Sequence, residues 1–408
     1  MSKPSPVRHA LSDALSVILP APEDTLLLRA CLHSGESGKH ACRTWLKEHP
    51  EPKNELKKES TKAFLPLLFN ALRIHGIAVD NTFLTILRTA AVREEVRTNT
   101  YRSICRNVFS TLAANEIPTI ILRGAALADT VYAAPALRHS HDIDILLEPR
   151  YRDSTLTLLA SLGFVPLRKK APTDSLKVEL KHGSGLPLVL HRNLFEIPFY
   201  NPDISELWSR SHTRVIADVE VRVLSPADAL LHLCGHASYS PSRESFRWIS
   251  DAWFVIDRHR DLDWDLLLDC AHRSHLTLPL SVTLGYLTKD LNAPVPSSFL
   301  DRLFTTASKT TAIGRELALF GARSAPRGGF KNLLRRAKGW RGRAYIIKWM
   351  LFPSPAYALW VQQVRLSWLL PFHYLYRPIR YASRRMWPNV TKFIRRIGIR
   401  KDHRIFTA

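Results

Sequence analysis

The chain has 408 residues and a hydrophobic content of 46%, enough for more than one core and too apolar for a disordered polyelectrolyte. Its formal net charge of +22 is unevenly spread: residues 323–408 hold 20 Lys and Arg against one acid, Asp402, which leaves +3 for the first 322 residues. No run reaches the roughly 18 uncharged apolar residues of a spanning helix, and no apolar stretch follows a basic start as in a signal peptide, so a cytoplasmic protein is expected, either free or peripheral to the inner face of the membrane.

Five scattered cysteines, with no C-x-x-C pair, argue for reduced thiols and against a zinc knuckle or a disulfide framework. Residues 1–116 read as helical. Ala21-Pro22-Glu23-Asp24 starts a helix before the apolar run 26–31, a second apolar stretch covers 63–72, and 83–116 is a long, charge-punctuated helix. Residues 48–61 between the first two are a charged loop.

Strands and helices alternate over 117–223. The run 118–122 is a strand that stops at Arg123-Gly124, and small helix formers carry a helix from there to about Tyr132 before Pro135 breaks it. Next comes His141-Asp142-Ile143-Asp144-Ile145-Leu146-Leu147. As a strand it directs Asp142 and Asp144 to one face and Ile143 and Ile145 into the core. A helix over 151–162 ends at Gly163, a strand follows at 164–168, and two hairpins pair 176–181 with 186–191 and 213–216 with 219–223.

From Ser225-Pro226-Ala227-Asp228, an N-cap followed by Pro and an acid, the period turns helical, with helices over 227–236, 244–258, 265–274, 280–291 and 297–308. A breaker at 325–329 precedes the basic tail, where Trp340, Trp349, Tyr357, Trp360 and other aromatics interleave with Arg and Lys. Such a surface suits anionic lipid or nucleic acid, or is a packed helix with a solvated basic face. The expected fold is α+β, a small mixed sheet flanked by helical regions, in four units: 1–116, a core at 117–223, a helical domain at 224–324, and a basic, aromatic-rich helical tail at 325–408.

The chemistry concentrates in residues 120–147. Two carboxylates about 6–7 Å apart along a strand repel unless a cation lies between them, and Mg²⁺ or Mn²⁺ takes such oxygen ligands; an exposed strand face is the alternative. Gly124 at a helix start offers backbone N–H groups to a phosphate. The run His139-Ser140-His141-Asp142 fails the zinc pattern H-x-H-x-D-H at Ile143 and Asp144. Arg138 either neutralises a triphosphate or is a surface arginine, and Tyr132 either packs or stacks on a nucleotide.

These residues resemble the uncharacterised nucleotidyltransferase family, which has the polymerase β-type nucleotidyltransferase fold. The likeness rests on Arg123-Gly124-Ala125-Ala126-Leu127-Ala128, Tyr132, Arg138, Asp142-Ile143-Asp144-Ile145-Leu146 and Leu190-His191, and continues through 224–233, 247–251 and 262–264. It implies a metal-dependent nucleotidyltransferase that moves an NMP from an NTP to an unknown acceptor hydroxyl. Asp142 and Asp144 would hold the metal; Arg123, Gly124, Ala125 and Arg138 would bind the nucleotide. Two departures stand out: Arg123 replaces a lysine, and Val189 replaces the third carboxylate. His191 is then either a substitute ligand or base, or a hydrogen-bonded structural histidine, and Glu179 and Glu196 are replacement carboxylates to consider. Loss of the third carboxylate keeps a second expectation open, a catalytically weakened homologue that serves as a nucleotide- or polyanion-binding scaffold.

Overall fold

The computed structural model describes residues 6–51, 59–140, 142–167, 175–239, 246–325, 327–362, 370–372 and 374–378. Its centre is one mixed sheet of seven strands in the order β3-β4-β5-β2-β1-β7-β6, which bears out the α+β expectation. The strands are β1 (Thr119–Leu122), β2 (Ile143–Leu147), β3 (Phe164–Pro166), β4 (Lys177–His182), β5 (Pro187–His191), β6 (His212–Ile216) and β7 (Val219–Val223). Central β2 runs antiparallel to β1 and parallel to β5, while β1 runs parallel to β7. The β6–β7 turn puts Ala217 at φ 49° and Asp218 at φ 66°, the left-handed pair that a two-residue hairpin needs.

Helices enclose both faces of the sheet. In chain order they are α1 (Pro6–Leu15), α2 (Pro22–Leu32), α3 (Gly35–Glu48), α4 (Leu65–Ile74), α5 (Asn81–Ala114), α6 (Arg123–Thr130), α7 (Arg152–Ser161), α8 (Ile204–Arg210) and α9 (Pro226–Tyr239). They continue as α10 (Arg247–Arg258), α11 (Trp264–Arg273), α12 (Thr277–Leu291), α13 (Ser297–Ser308), α14 (Ala312–Ser324), α15 (Phe330–Arg336), α16 (Gly339–Leu351) and α17 (Pro355–Gln362). Helices α1, α3, α8 and α14 have no counterpart among the expected segments, and a single helical turn, Glu59–Lys62, stands between α3 and α4 at the end of the stretch expected as a charged loop. Helix α3 begins after Ser34 with Gly, Glu, Ser and Gly, and buries only Gly38, Ala41, Cys42 and Trp45, so its apolar period is too thin to read alone. Part of the helix start expected at 244 and the strand end expected at 168 lie outside the described residues.

Period two along the strands separates two cores. Ile121, Ile143, Ile145, Leu188, Leu190 and Val223 pack on Val108, Phe109 and Leu112 of α5 and Leu159 of α7. Ile120, Leu122 and Leu146 face the other way, into a cluster that joins Trp45 and Leu68 from the N-terminal helices to Leu230, Ile249 and Leu284 from those after the sheet. The tail shares this second cluster: Leu333, Ile346, Trp349 and Tyr357 are buried in it, whereas Trp340 is 74% exposed. Trp368, Tyr381 and Trp387 lie outside the described residues. All five cysteines are free and buried. Among the described residues no helix is long and apolar enough to cross a membrane.

Candidate active site

The face of β2 opposite α5 carries Asp144 and Leu146. Register places Asp144 beside Leu122 on β1 and Val189 on β5, and Val189 in turn beside Glu179 on β4. Asp144 is 1% exposed, a carboxylate buried in the middle of a sheet, and such a group needs partners for both oxygens. It has them. Arg123 Nη2 donates to Oδ2 at 2.6 Å, and His191 Nε2 lies 2.7 Å from Oδ1. Burial works against ionisation here, but the charge of Arg123 and the bond from His191 hold the carboxyl well below the usual carboxylate range.

Arg123 links this pair to the next shell of helices. Its Nη1 lies 2.9 Å from His236 Nε2 on α9, so the imidazole accepts from the guanidinium. Burial, with the positive charge of Arg123 behind it, pushes His236 down to about 3 and His232 well below its ordinary value, which keeps both rings neutral and able to accept. The backbone of Arg123 stands at φ 41°, a left-handed conformation that costs an arginine energy and recurs where function fixes the chain. Its Nε is buried and has no hydrogen-bond partner among the described residues, a donor without an acceptor.

Gly124 follows at the start of α6, and here glycine is a matter of space. A Cβ would stand 2.6 Å from Arg138 Nη1 and 2.6 Å from Ser140 Oγ. Arg138 itself is buried: Nε and Nη2 donate to the two oxygens of Asp251 at 2.9 and 2.8 Å, and Nη1 to Ser140 Oγ at 3.1 Å. It is therefore not a surface arginine, and among the described residues its only bond outside the Asp251 pair runs to the loop before β2. Tyr132 joins the same knot, donating to Asp251 Oδ1 at 2.7 Å with its ring on Phe254, so it packs. Asp129, near the end of α6, accepts from Ala217 N at 2.8 Å and pairs with Arg102 of α5, which docks the helix against the sheet.

Asp142 immediately precedes β2. Its carboxylate accepts no hydrogen bond among the described residues and lines a narrow pocket with Ala125, Asp129, Arg138 and Ser140. Of the two aspartates, one is closed by internal partners and one is open. Glu179 and Glu196 are both held by Lys177 Nζ, at 3.0 and 2.8 Å, and β5 separates Glu179 from β2, about 10 Å strand to strand. Neither fills the position of Val189.

Among the described residues no three His, Cys, Asp or Glu side chains converge to hold a metal. Magnesium is commonly bound by one or two carboxylates plus substrate phosphates rather than by an all-protein cage, and open Asp142 next to Asp144 fits that donor set. It does not fit two cations. Sequence reasoning brought Asp144, Arg123 and His191 to one place, but missed the bond from Arg123 to His236 and the pairing of Glu94 with His139, described below. Partners 113 and 45 residues apart leave no local signal.

A family model described as uncharacterised nucleotidyltransferase matches residues 60–291. No curated protein matches the chain. One similar solved structure is a solution structure of the antibiotic-resistance factor ANT(2'')-Ia, at 14% identity, over 42% of this chain and 90% of that one, with a TM-score of 0.30.

Proposed function

The chain belongs to the uncharacterised nucleotidyltransferase family, and we propose that it transfers a nucleoside monophosphate from an NTP to an acceptor hydroxyl, with a divalent cation, Mg²⁺ or Mn²⁺, at Asp142 and Asp144. When bound, the cation would supply Lewis-acid stabilisation of charge on the phosphate oxygens. The observation that carries the reading is the set of unbalanced groups near Asp144 among the described residues: buried Arg123 Nε without an acceptor, and Asp142 on the lining of a pocket with no donor to its carboxylate. One awaits an anion and the other a cation, and an NTP with its metal offers both.

In this reading the acceptor oxygen bonds to the α-phosphorus, the bond from that phosphorus to the pyrophosphate oxygen breaks, and pyrophosphate leaves with the electron pair. Arg123 neutralises phosphate charge with a planar fork where a lysine would give a point charge. Gly124 and Ala125 present backbone N–H groups at the start of α6. Arg138 acts through the loop, since Asp251 holds it. With Asp144 ionised, His191 carries its proton on Nε2, which leaves Nδ1 as the nitrogen to take the acceptor proton.

Val189 beside Asp144 supports the second reading, a protein that binds nucleotide without transferring it. Incubation with each α-labelled NTP, Mg²⁺ or Mn²⁺ and a cell extract separates the two. Label transferred to an acceptor, and abolished by chelation, supports the enzyme; nucleotide binding without transfer in any combination overturns it. For the basic tail, exposed Trp340 and the surrounding Arg and Lys support contact with anionic lipid or nucleic acid, and the comparison to make is binding of each by Arg341→Glu and the wild type.

A further inference from the structure

A cavity of about 550 Å³ lies between α5, α4 and the turn before it, and the loop before β2. It is the size of a small-molecule site. Leu65, Pro66, Ile86 and Ala90 give it an apolar wall, and Lys62, Arg93 and Arg97 bring three cationic side chains to its lining. Against these stands one acid, Glu94, whose side chain is only 8% exposed. Its Oε2 lies 2.7 Å from His139 Nδ1 and 3.7 Å from Arg97 Nη1. Its Oε1, buried as well, has no hydrogen-bond partner among the described residues. A buried carboxylate oxygen left unpaired is costly, and its position on a cavity wall gives it a donor only when something fills the cavity.

The placement ties this cavity to the candidate active site. Helix α5 lines both: residues 85–97 border the large cavity, and Thr98, Tyr101, Arg102 and Cys105 border the narrow pocket that holds Asp142. The loop before β2 lines the other side of both, with His139 in the large cavity and Arg138, Ser140 and Asp142 in the narrow one. At 1.5 Å per residue, Glu94 and Thr98 are about 6 Å apart along the helix axis, so the linings of the two lie about one helical turn apart on α5.

We propose that this cavity is the acceptor site, and that the acceptor is a small hydroxylated organic anion, a phosphate ester or a carboxylate. This rests on the nucleotidyltransferase reading above. The anionic group meets Arg93, which is exposed and makes no ion pair among the described residues, and Arg97. A hydroxyl remote from the reacting one donates to Glu94 Oε1, and the apolar wall covers the carbon skeleton. A second hydroxyl, nearer Asp142, forms the new bond to the α-phosphorus as pyrophosphate departs, and its proton passes to His191.

The test measures transfer from α-labelled NTP separately into the dialysable and the macromolecular fractions of an extract, using wild type, Arg93→Glu and Ala90→Trp, with NTP binding measured alongside. Label is expected in the dialysable fraction. Arg93→Glu should raise the KM for acceptor about tenfold or more, the worth of one charge-assisted hydrogen bond, and leave NTP affinity unchanged. Ala90→Trp, which fills the cavity from a helix face, should lower transfer at limiting acceptor without moving NTP affinity. Wild-type label found only in protein or nucleic acid, or transfer unchanged in both variants, overturns the assignment. No transfer by the wild type would instead overturn the nucleotidyltransferase reading, and the acceptor site with it.

Discussion

Arg123 is the residue on which the site turns. It sits in a left-handed conformation, shares the Asp144 carboxylate with His191, leans on a neutral His236, and keeps a buried Nε in reserve. Its guanidinium occupies one side of the Asp144 carboxylate, so under the proposed function a cation could share that carboxylate only if Arg123 turned to a phosphate. Arg123→Lys should keep measurable NTP binding, because charge remains while the fork is lost. Arg123→Met should weaken NTP binding by about tenfold to a hundredfold, the loss of one or two charge-assisted bonds, and should also destabilise the fold by leaving Asp144 with one partner. Equilibrium binding and thermal unfolding of the two variants read both effects. Loss of NTP affinity equal in both variants would point to the fork itself, and no loss in either would remove Arg123 from the site. The sequence brought out the two aspartates as a strand pair, although Asp142 falls just before β2 and outside its period, and the arginine by its place before a glycine. It gave no hint that one aspartate would be closed and the other open, because that depends on partners from β5 and α9.

At the scale of elements, the strand, glycine turn, helix and second strand over 119–147 form as their residues dictate. β1 ends at Leu122, α6 starts at Arg123, and β2 begins at Ile143. Both hairpins were legible too, since Gly185 at φ 92° and the Ala217-Asp218 pair supply the turn conformations that the flanking apolar alternation requires. What could not be read was why Gly124 is glycine. Its small size admits Arg138 and Ser140 to 2.6 Å from the position of an absent Cβ, and through Arg138 it joins α6 to Asp251 on α10. Gly124→Ala should therefore displace the loop before β2 and cost about 1–3 kcal/mol, as overpacking does. Chemical denaturation measures it. A cost near zero would mean that Arg138 moves freely, which its two bonds to Asp251 oppose.

Over the whole molecule, the helices before the sheet and those after it close one cluster over the site-bearing face, and the basic tail takes part in it. Sequence leaves the tail either as a surface for anionic lipid or nucleic acid or as a packed helix with a solvated basic face. Packing is present: Leu333, Ile346, Trp349 and Tyr357 are each no more than 2% exposed. A chain ended at Ser324 loses all four, and each buried large side chain is worth about 1.5–3 kcal/mol, so the truncated protein should lose cooperative unfolding or aggregate. An unchanged melting transition would show that the tail contributes little to the core. Point substitutions on its exposed face are thus the cleaner way to ask what it binds.

Nucleotidyl transfer, as proposed, turns most directly on Asp142, the carboxylate left open while Asp144 is closed. The decisive measurement is transfer from α-labelled NTP by Asp142→Asn beside the wild type, with NTP binding and melting temperature recorded for both. Under the proposed function the expected result is transfer reduced by about a hundredfold or more, with the melting temperature held because Asp142 has no hydrogen-bond partner to lose among the described residues. Transfer at the wild-type rate in Asp142→Asn would contradict the account.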